Sequence, residues 1–394
     1  MAEWARNGDS EARVWMMVGV LVRVALQMGY HRFAFTSLSD SMSDPRHRDP
    51  SQYPEITIFQ GEIRRRVWCF VQGLDTLTSV LVGLPSMIRT LDSDTRAPRN
   101  LHDWEVTESM TSLPESRPEE EETPVSYMLA KRKIVTVAGD IVSLLGSLSQ
   151  PSYEQVLKLD DELVQAYQDL PAHLKVESTE KMLSEAPSRV NQRIQLAFLY
   201  NQSSCILHRK FLARGRTDPH FSRSYQRCME SALNLLEHQQ YLYTETKVKG
   251  SIKPRHWYRV AHTSHDFILA AMIVCLNLKY KKLEEQSGRI LNLESQQAKI
   301  WQSLEFACNL WMEEKDSSPE AAKVYQVLSQ VLGTHAMEEN AGIVQSHMVQ
   351  PATQTNPELP LFASNQWLGV PEVNMDIDWV SGLNFTDITL CFDS

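Results

Sequence analysis

The chain lacks paired cysteines and long apolar runs, and over residues 324–394 it has no Lys or Arg. Its six cysteines, at 69, 205, 228, 275, 308 and 391, never stand closer than 23 residues. No C-x-x-C pair therefore exists for a zinc finger, a zinc ribbon or a dithiol redox site, and scattered thiols suit a reducing compartment. The longest apolar run, Val14 to Val22, has nine residues between Arg13 and Arg23. A membrane span needs about 20, so none is expected. The opening MAEWARNGDSEAR has no apolar core behind a basic start, which argues against a secretory signal and makes the Asn-x-Ser/Thr matches at Asn201 and Asn384 fortuitous. There is no G-x-S-x-G elbow, no Walker lysine loop and no G-x-G-x-x-G after a strand. Nucleophilic, phosphoryl and dinucleotide chemistry lack a foothold, and no catalytic residue is assigned.

What is present is ordinary globular composition: 394 residues, 42% hydrophobic and 22% charged. At about 150 residues per domain this suggests two or three units. A net charge of −10 shows no electropositive footprint for a nucleic-acid duplex. The charge is unevenly placed. Residues 324–394 hold eight acids and no Lys or Arg, while residues 1–323 hold 39 Lys and Arg against 41 acids and are almost neutral.

The body has helical periodicity. From Glu11 to Gly29, Trp15, Val18, Val22, Leu26 and Gly29 recur at three- and four-residue steps, one buried face of a helix. Gly19 inside it predicts close approach of another backbone. A second stripe, Ile63, Val67, Val71, Leu74, Leu77 and Leu81, runs from Glu62 to Val82 and stops at Gly83 and Pro85. Residues 91–104 read as ordered turns. Residues 107–123, containing PESRPEEEE, read as a disordered excursion. Thr123-Pro124 predicts an N-cap and first helical position for a helix to about Leu148. Further helices are expected at about 152–169, 188–213, 221–242, 256–283, 293–314 and 319–332. The expected class is all-α, a multi-helix body with a long, acidic, mostly irregular C-terminal tail. Its divisions are 1–105, an acidic Pro/Glu linker at 106–123, a C-terminal helical part at 124–333 and an acidic-hydrophobic tail at 334–394.

Arg64-Arg65-Arg66 is the densest basic cluster, but consecutive helical residues point 100° apart and cannot share one face. Structural pairing is expected, with Asp75, three turns along, as an acid partner. Lys131-Arg132-Lys133 behaves likewise, and either run is at most a weak nuclear import signal. His262 and His265 have i,i+3 spacing without a third ligand. Cys205 and His208 read as core rather than as a dyad. In the tail, acids alternate with Met375, Ile377, Trp379, Leu383, Phe385, Ile388, Leu390 and Phe392. This is the pattern of an activation-type segment with apolar anchors for a partner groove. It equally fits an arm docking on its own domain. Trp379, Leu383 and Phe385 are the candidate partner-binding residues.

Taken in order, several patterns resemble the regulatory, or middle homology, domain of fungal zinc-cluster transcription factors. Trp15, Gly19, Arg23, Ala25 and Gly29-Tyr30-His31-Arg32 are similar to its W…G…R-x-A…G-L-H-R-D stretch, with Tyr30 for Leu and Phe33 for Asp. Glu62-x-Arg64-Arg65-Arg66-Val67-Trp68 is similar to E-x-R-R-R-x-W-W, with Cys69 for the second Trp. Asp75, Gly83-Leu84-Pro85 in place of G-R-P, Ile88, Asp92-x-Asp94, Pro98 and Asn100 follow. Leu170-Pro171 with Leu174 looks like L-P-x-x-L. Leu207-His208-Arg209-Lys210-Phe211-Leu212 resembles L-H-R-P-F-L, and Ser224, Cys228 and Ala232 match the next helix. The resemblance covers about residues 11–280.

It implies a nuclear transcription regulator whose helical domain serves partner binding and sensing, with the motif residues in structural roles. In the family a separate N-terminal two-zinc, six-cysteine module reads DNA. That module is absent from this chain, so no cofactor and no direct DNA binding are expected here, and zinc would belong to the missing cluster. The start, ten residues before Glu11, leads to the expectation that leading helices are also missing, in a truncated product or a short form. The partners implied are transcriptional machinery or another transcription factor, with homo- or heterodimerisation open. A helical ligand- or metal-binding protein using His262 and His265, or a non-nuclear adaptor, stands as the alternative.

Overall fold

A computed structural model describes residues 10–32, 56–88, 93–176, 185–247, 261–286, 297–316 and 321–333. Ten helices and no strand occur among the described residues, so the chain is all-α. They are α1 (Ser10–Gln27), α2 (Ile58–Val82), α3 (Ser126–Leu145), α4 (Tyr153–Gln168), α5 (Pro187–His208), α6 (Arg214–Thr217), α7 (Ser222–Lys247), α8 (Ala261–Gln286), α9 (Gln297–Glu314) and α10 (321–333).

Local chemistry sets their ends. The Thr57 hydroxyl accepts from the Gln60 N–H at 3.2 Å and the Gln60 side chain accepts from the Thr57 N–H at 3.1 Å. This reciprocal box satisfies two orphan donors at the start of α2. Gly83 ends α2 in the left-handed region, φ 67°. Ser152 and Gln155 repeat the box at α4. The cap of α3 is Val125, without a side-chain cap bond, rather than Thr123; the Thr123 hydroxyl accepts from the Val125 N–H at 3.1 Å just ahead of it, and regular helix begins at Ser126, two residues later than the proline position implied. The helix expected over 188–213 stops at His208. It continues as a 3-10 turn, Arg209–Phe211, and the single turn of α6.

Two units divide the chain, residues 1–270 and 271–394. In the first, α1 packs on α2, α2 on α3, α3 on α4 and α5, and α5 along α7. Val18, Val22, Ala25, Trp68 and Val71 form the α1–α2 core. Ile134, Ile141, Val156, Leu163, Leu196 and Leu207 centre a larger core among α3, α4 and α5. The second unit buries Cys275, Leu304, Cys308, Trp311, Val324 and Leu328 on α8 to α10.

Residues 106–123 are not the disordered excursion that their composition suggested. Asn100, 1% exposed, donates to the Pro118 and Glu121 carbonyls at 2.8 and 3.0 Å and accepts from the Thr123 hydroxyl at 2.6 Å. Arg99 donates to the Leu113 and Pro114 carbonyls, and Arg117 binds Glu105 at 2.8 Å and also Glu121. Apart from the buried Val106, these polar bonds fix the segment, and hydropathy does not register them.

Gly19 also differs from expectation: a Cβ there would meet the Met87 sulfur at 3.2 Å rather than another backbone. Two other glycines carry sharper consequences. A Cβ on Gly215 would lie 2.6 Å from the Phe221 carbonyl oxygen and 2.7 Å from Tyr225 Cβ, whereas one on Gly73 meets nothing within 4 Å. Gly215→Ala is expected to cost about 1–3 kcal/mol through overpacking. Gly73→Ala, inside α2, should stabilise by about 0.5–1 kcal/mol by removing backbone entropy from the unfolded chain. Urea midpoints of the two variants check both signs.

Candidate functional site

The three arginines of α2 do not share one face: Arg64 turns away from Arg65 and Arg66, which meet at one acid. Arg64 donates to the Met28 carbonyl at 2.7 Å and lies 4.5 Å over the Tyr30 ring, closing the end of α1. Arg65 and Arg66 turn to Glu62 at 3.5 and 3.4 Å, one helical turn back, and Arg66 also reaches Asp103 at 2.8 Å. None of these contacts involves Asp75, which corrects the pairing expected from sequence. Eleven residues at 1.5 Å each put Asp75 about 16 Å along the axis, beyond side-chain reach. Asp75 instead accepts from the Ser86 hydroxyl and from the Ile88 N–H at 2.8 Å, holding the chain just past Gly83 and Pro85.

Residues 93–95 stitch α1 to α2. Trp68 Nε1 donates to Ser93 Oγ at 2.8 Å, and that hydroxyl donates to the His31 carbonyl at 2.9 Å. Thr95 donates to the Tyr30 carbonyl, and Arg32 pairs with Asp94 at 3.9 Å. Trp15 is half-buried and Arg23 exposed, while Phe33 and Asp92 lie outside the described residues.

Glu62, fully buried, also accepts from the Arg99 N–H at 3.1 Å. Burial raises its carboxyl pKa, and the Arg99 N–H with Arg65 and Arg66 offsets only part of the rise. With the folded pKa above the unfolded one, this group favours folding most below the ordinary carboxylate range. The contribution falls as pH rises through that range. Glu62→Gln should flatten that slope and change stability by only about 1 kcal/mol, read from urea midpoints at about pH 4 and pH 7.

A second polar joint was missed by sequence reasoning. Asp160 sits on the apolar stripe of α4 between Val156 and Leu163, all three buried. Its Oδ2 receives Arg223 at 2.7 Å and its Oδ1 receives Arg227 at 3.0 Å, both from α7. His208 Nε2, at the end of α5, stands 3.1 Å from Oδ1. His208 Nδ1 lies 2.9 Å from Ser224 Oγ, which lies 3.1 Å from the Tyr153 hydroxyl. Tyr153 packs against Phe211 and Phe221. Arg227 reaches the Tyr200 hydroxyl at 2.8 Å. An acid placed at a core register, with arginines at i and i+4 on α7, was the available signal.

Asp160, His208 and Ser224 are the residue types of a nucleophilic triad. All three are 0% exposed, with Tyr153 beyond the serine, so no substrate carbonyl reaches the hydroxyl. With both His208 nitrogens facing Asp160 and Ser224, the Cys205–His208 dyad has no nitrogen to use. Phe211, in the 3-10 turn that Arg209 begins, reaches the same joint through Tyr153. Pro171 opens the turn that buries Leu170 and Leu174.

The side chains of His262 and His265 lie outside the described residues, as do Trp379, Leu383 and Phe385. No group of three or more His, Cys, Asp or Glu among the described residues could hold a metal. Cys69, Cys205, Cys228, Cys275 and Cys308 are each buried on a different helix. Burial pushes the Cys69 and Cys275 thiols up to about 11 and about 12, whereas zinc takes thiolates. These residues do not fit a two-zinc, six-cysteine cluster. No described helix is long and apolar enough to cross a membrane.

An open cleft of about 370 Å³ lies where α3 and α5 begin, lined by Tyr127, His173, Arg189 and Gln192. The Glu122–Arg189 pair, 2.9 Å apart, borders it. Burial pushes the His173 imidazole down; Glu122 opposes this, and Arg189 and Arg193 reinforce it. The cleft therefore presents a neutral imidazole beside an ion pair at neutral pH.

Set beside known proteins, residues 1–179 match the model of the fungal specific transcription factor domain. The Zn(2)-C6 fungal-type transcription factor pigI of Monascus ruber is 35% identical over 324 residues, covering 81% of this chain and 38% of that protein. The corresponding factor mpsB of Macrophomina phaseolina is 33% identical over 338 residues, 85% of this chain and 43% of its own length. The equisetin cluster transcription factor eqxF of Fusarium heterosporum is 28% identical over 378 residues, 96% and 51%. This chain belongs to the fungal zinc-cluster regulatory domain family. It spans about two fifths to one half of the length of these relatives. No solved structure matches it.

Proposed function

We propose that this chain is a transcription regulator acting in the nucleus, its helical body serving partner binding and sensing rather than catalysis. One observation carries the reading: in a body of this family, the chemically distinctive motif residues are spent on holding helices and the segments between them. Glu62 takes Arg65 and Arg66 of its own helix and the Arg99 N–H, Asp160 joins α4 to α5 and α7, both carboxylates are buried, and an open cleft lies beside His173 and Arg189. In this reading the cleft takes a small effector, zinc belongs to a separate DNA-reading module, and this chain does not bind duplex by itself. The tail recruits transcriptional machinery, with Trp379, Leu383 and Phe385 as anchors among its acids.

The test is a reporter driven by the whole chain fused to an unrelated DNA-binding domain, beside a fusion of residues 324–394 alone. Activation by both supports the reading. A silent tail fusion removes the recruiting role of the tail, and two fusions at background, with protein accumulating in the nucleus, overturn the proposal.

A further inference from the structure

α1 is apolar over most of its circumference, and the described residues cover only one side of it. Val18, Val22 and Ala25 are buried against α2, yet Val14, Met17, Val20, Leu21, Val24 and Met28 remain between 37% and 73% exposed. At 100° per residue these six fill an arc of about 120°, over about 21 Å of helix. A helix that is hydrophobic all round belongs in a covered setting, and a continuous exposed patch of this size marks an interaction surface.

The charges beside the patch say what kind of cover fits. Arg13 lies within the arc near its start and Arg23 flanks it about 15 Å further along, both exposed. No acidic side chain stands among the described side chains of α1. A second copy of the same face would set base against base and gain no ion pair. An acidic helix would gain two.

We propose that the outer face of α1 docks an acidic amphipathic helix from another protein. Its apolar stripe lies along Met17, Val20, Leu21 and Val24, and carboxylates about three turns apart meet Arg13 and Arg23. This is the helix-on-helix mode of peptide recognition, in which apolar anchors supply affinity and flanking charges set the register and the choice of partner.

The test uses the purified full chain and a fluorescein-labelled 18-residue helical peptide with leucines on one stripe and glutamates flanking it. A second peptide has lysines in place of the glutamates. Fluorescence anisotropy should show saturable binding of the glutamate peptide, with the lysine peptide about tenfold weaker or worse. Val20→Asp and Met17→Asp should each weaken the glutamate peptide about tenfold, and Arg13→Glu with Arg23→Glu should abolish its preference over the lysine peptide. Sedimentation of the chain alone checks self-association. Equal binding of the two peptides, or no saturable binding, overturns the proposal, as does a dimer that Val20→Asp dissolves. Should an aspartate variant misfold by circular dichroism, the arginine variants and the paired peptides still decide the matter.

Discussion

Asp160→Asn should destabilise the first unit by about 3–5 kcal/mol, the cost of removing one member of a buried charge cluster. The substitution keeps the shape and removes the charge. Asp160 is fully buried, and the Arg227 side chain that faces it is only 16% exposed, so water cannot replace the lost carboxylate. Arg223, at 44% exposed, can turn to solvent, and Arg223→Ala should cost about 1 kcal/mol or less. The ordering Asp160→Asn, then Arg227→Ala, then Arg223→Ala, read from urea midpoints, is the expected result. Equal costs for the two arginines would mean that burial does not set the energy of the joint.

Acid unfolding supplies an independent measure. Burial alone would raise the Asp160 carboxyl, but His208 and Arg227 outweigh it and hold the group well below the usual carboxylate range. Because the folded pKa is the lower, the contribution is fully present above about pH 4 and is lost as pH falls through the folded value. The unsubstituted chain should therefore lose stability steeply below about pH 4, and Asp160→Asn should lose less over the same range. Glu62, buried as deeply, has the opposite sign. The difference lies in its partners: Arg65 and Arg66 reach it only at 3.4 to 3.5 Å, from the same helix, against 2.7 to 3.1 Å around Asp160 from two others.

Features encoded within a few residues of one another were legible before the structure. Gly83 and Pro85 marked the end of α2, the stripe Val18, Val22 marked the inner face of α1, and the parting of Arg64 from Arg65 and Arg66 followed from the helical repeat. Partners distant in sequence were not legible. Spacing placed Asp75 on the same helix as the arginines but could not show that the chain returns at Ser86 and Ile88 to claim its carboxylate. Composition marked 106–123 as disordered because it does not register the polar bonds by which Asn100, Arg99 and Arg117 hold the segment. Asp160 was legible in principle, as an acid on an apolar stripe, yet its three partners come from α5 and α7. The outer face of α1 escaped notice for the reverse reason, since periodicity identifies a buried face and does not report that the other face is apolar too.

Trp68→Ala should cost about 3–5 kcal/mol, the range for deleting a large buried aromatic, and its effect should stay local. Trp68, 1% exposed, is the largest of the five buried members of this core, with Val18, Val22, Ala25 and Val71, and Leu26, Tyr30, Leu74 and Ile88 pack around it partly buried. Side chains fixed on two helices collapse only in part over the space its indole leaves. Its N–H also begins the relay through Ser93 to the His31 carbonyl that fastens the end of α1. Trp68→Phe keeps most of the ring and removes only the indole donor, while Ser93 keeps its bonds to the His31 carbonyl and the Thr95 N–H, so about 1–2 kcal/mol is expected from the one lost hydrogen bond and the lost contact. Hydrogen exchange separates local from global loss. In Trp68→Ala the amides of α1 should lose protection far more than those of α4 and α5, whose core of Val156, Leu163, Leu196 and Leu207 does not include the indole. If α1 keeps its protection, Trp68 is not what holds it to α2. If α1 alone is released while α4 and α5 stay protected, then the outer face of α1 is presented at a position that Trp68 sets, and this variant should also lose the acidic helix.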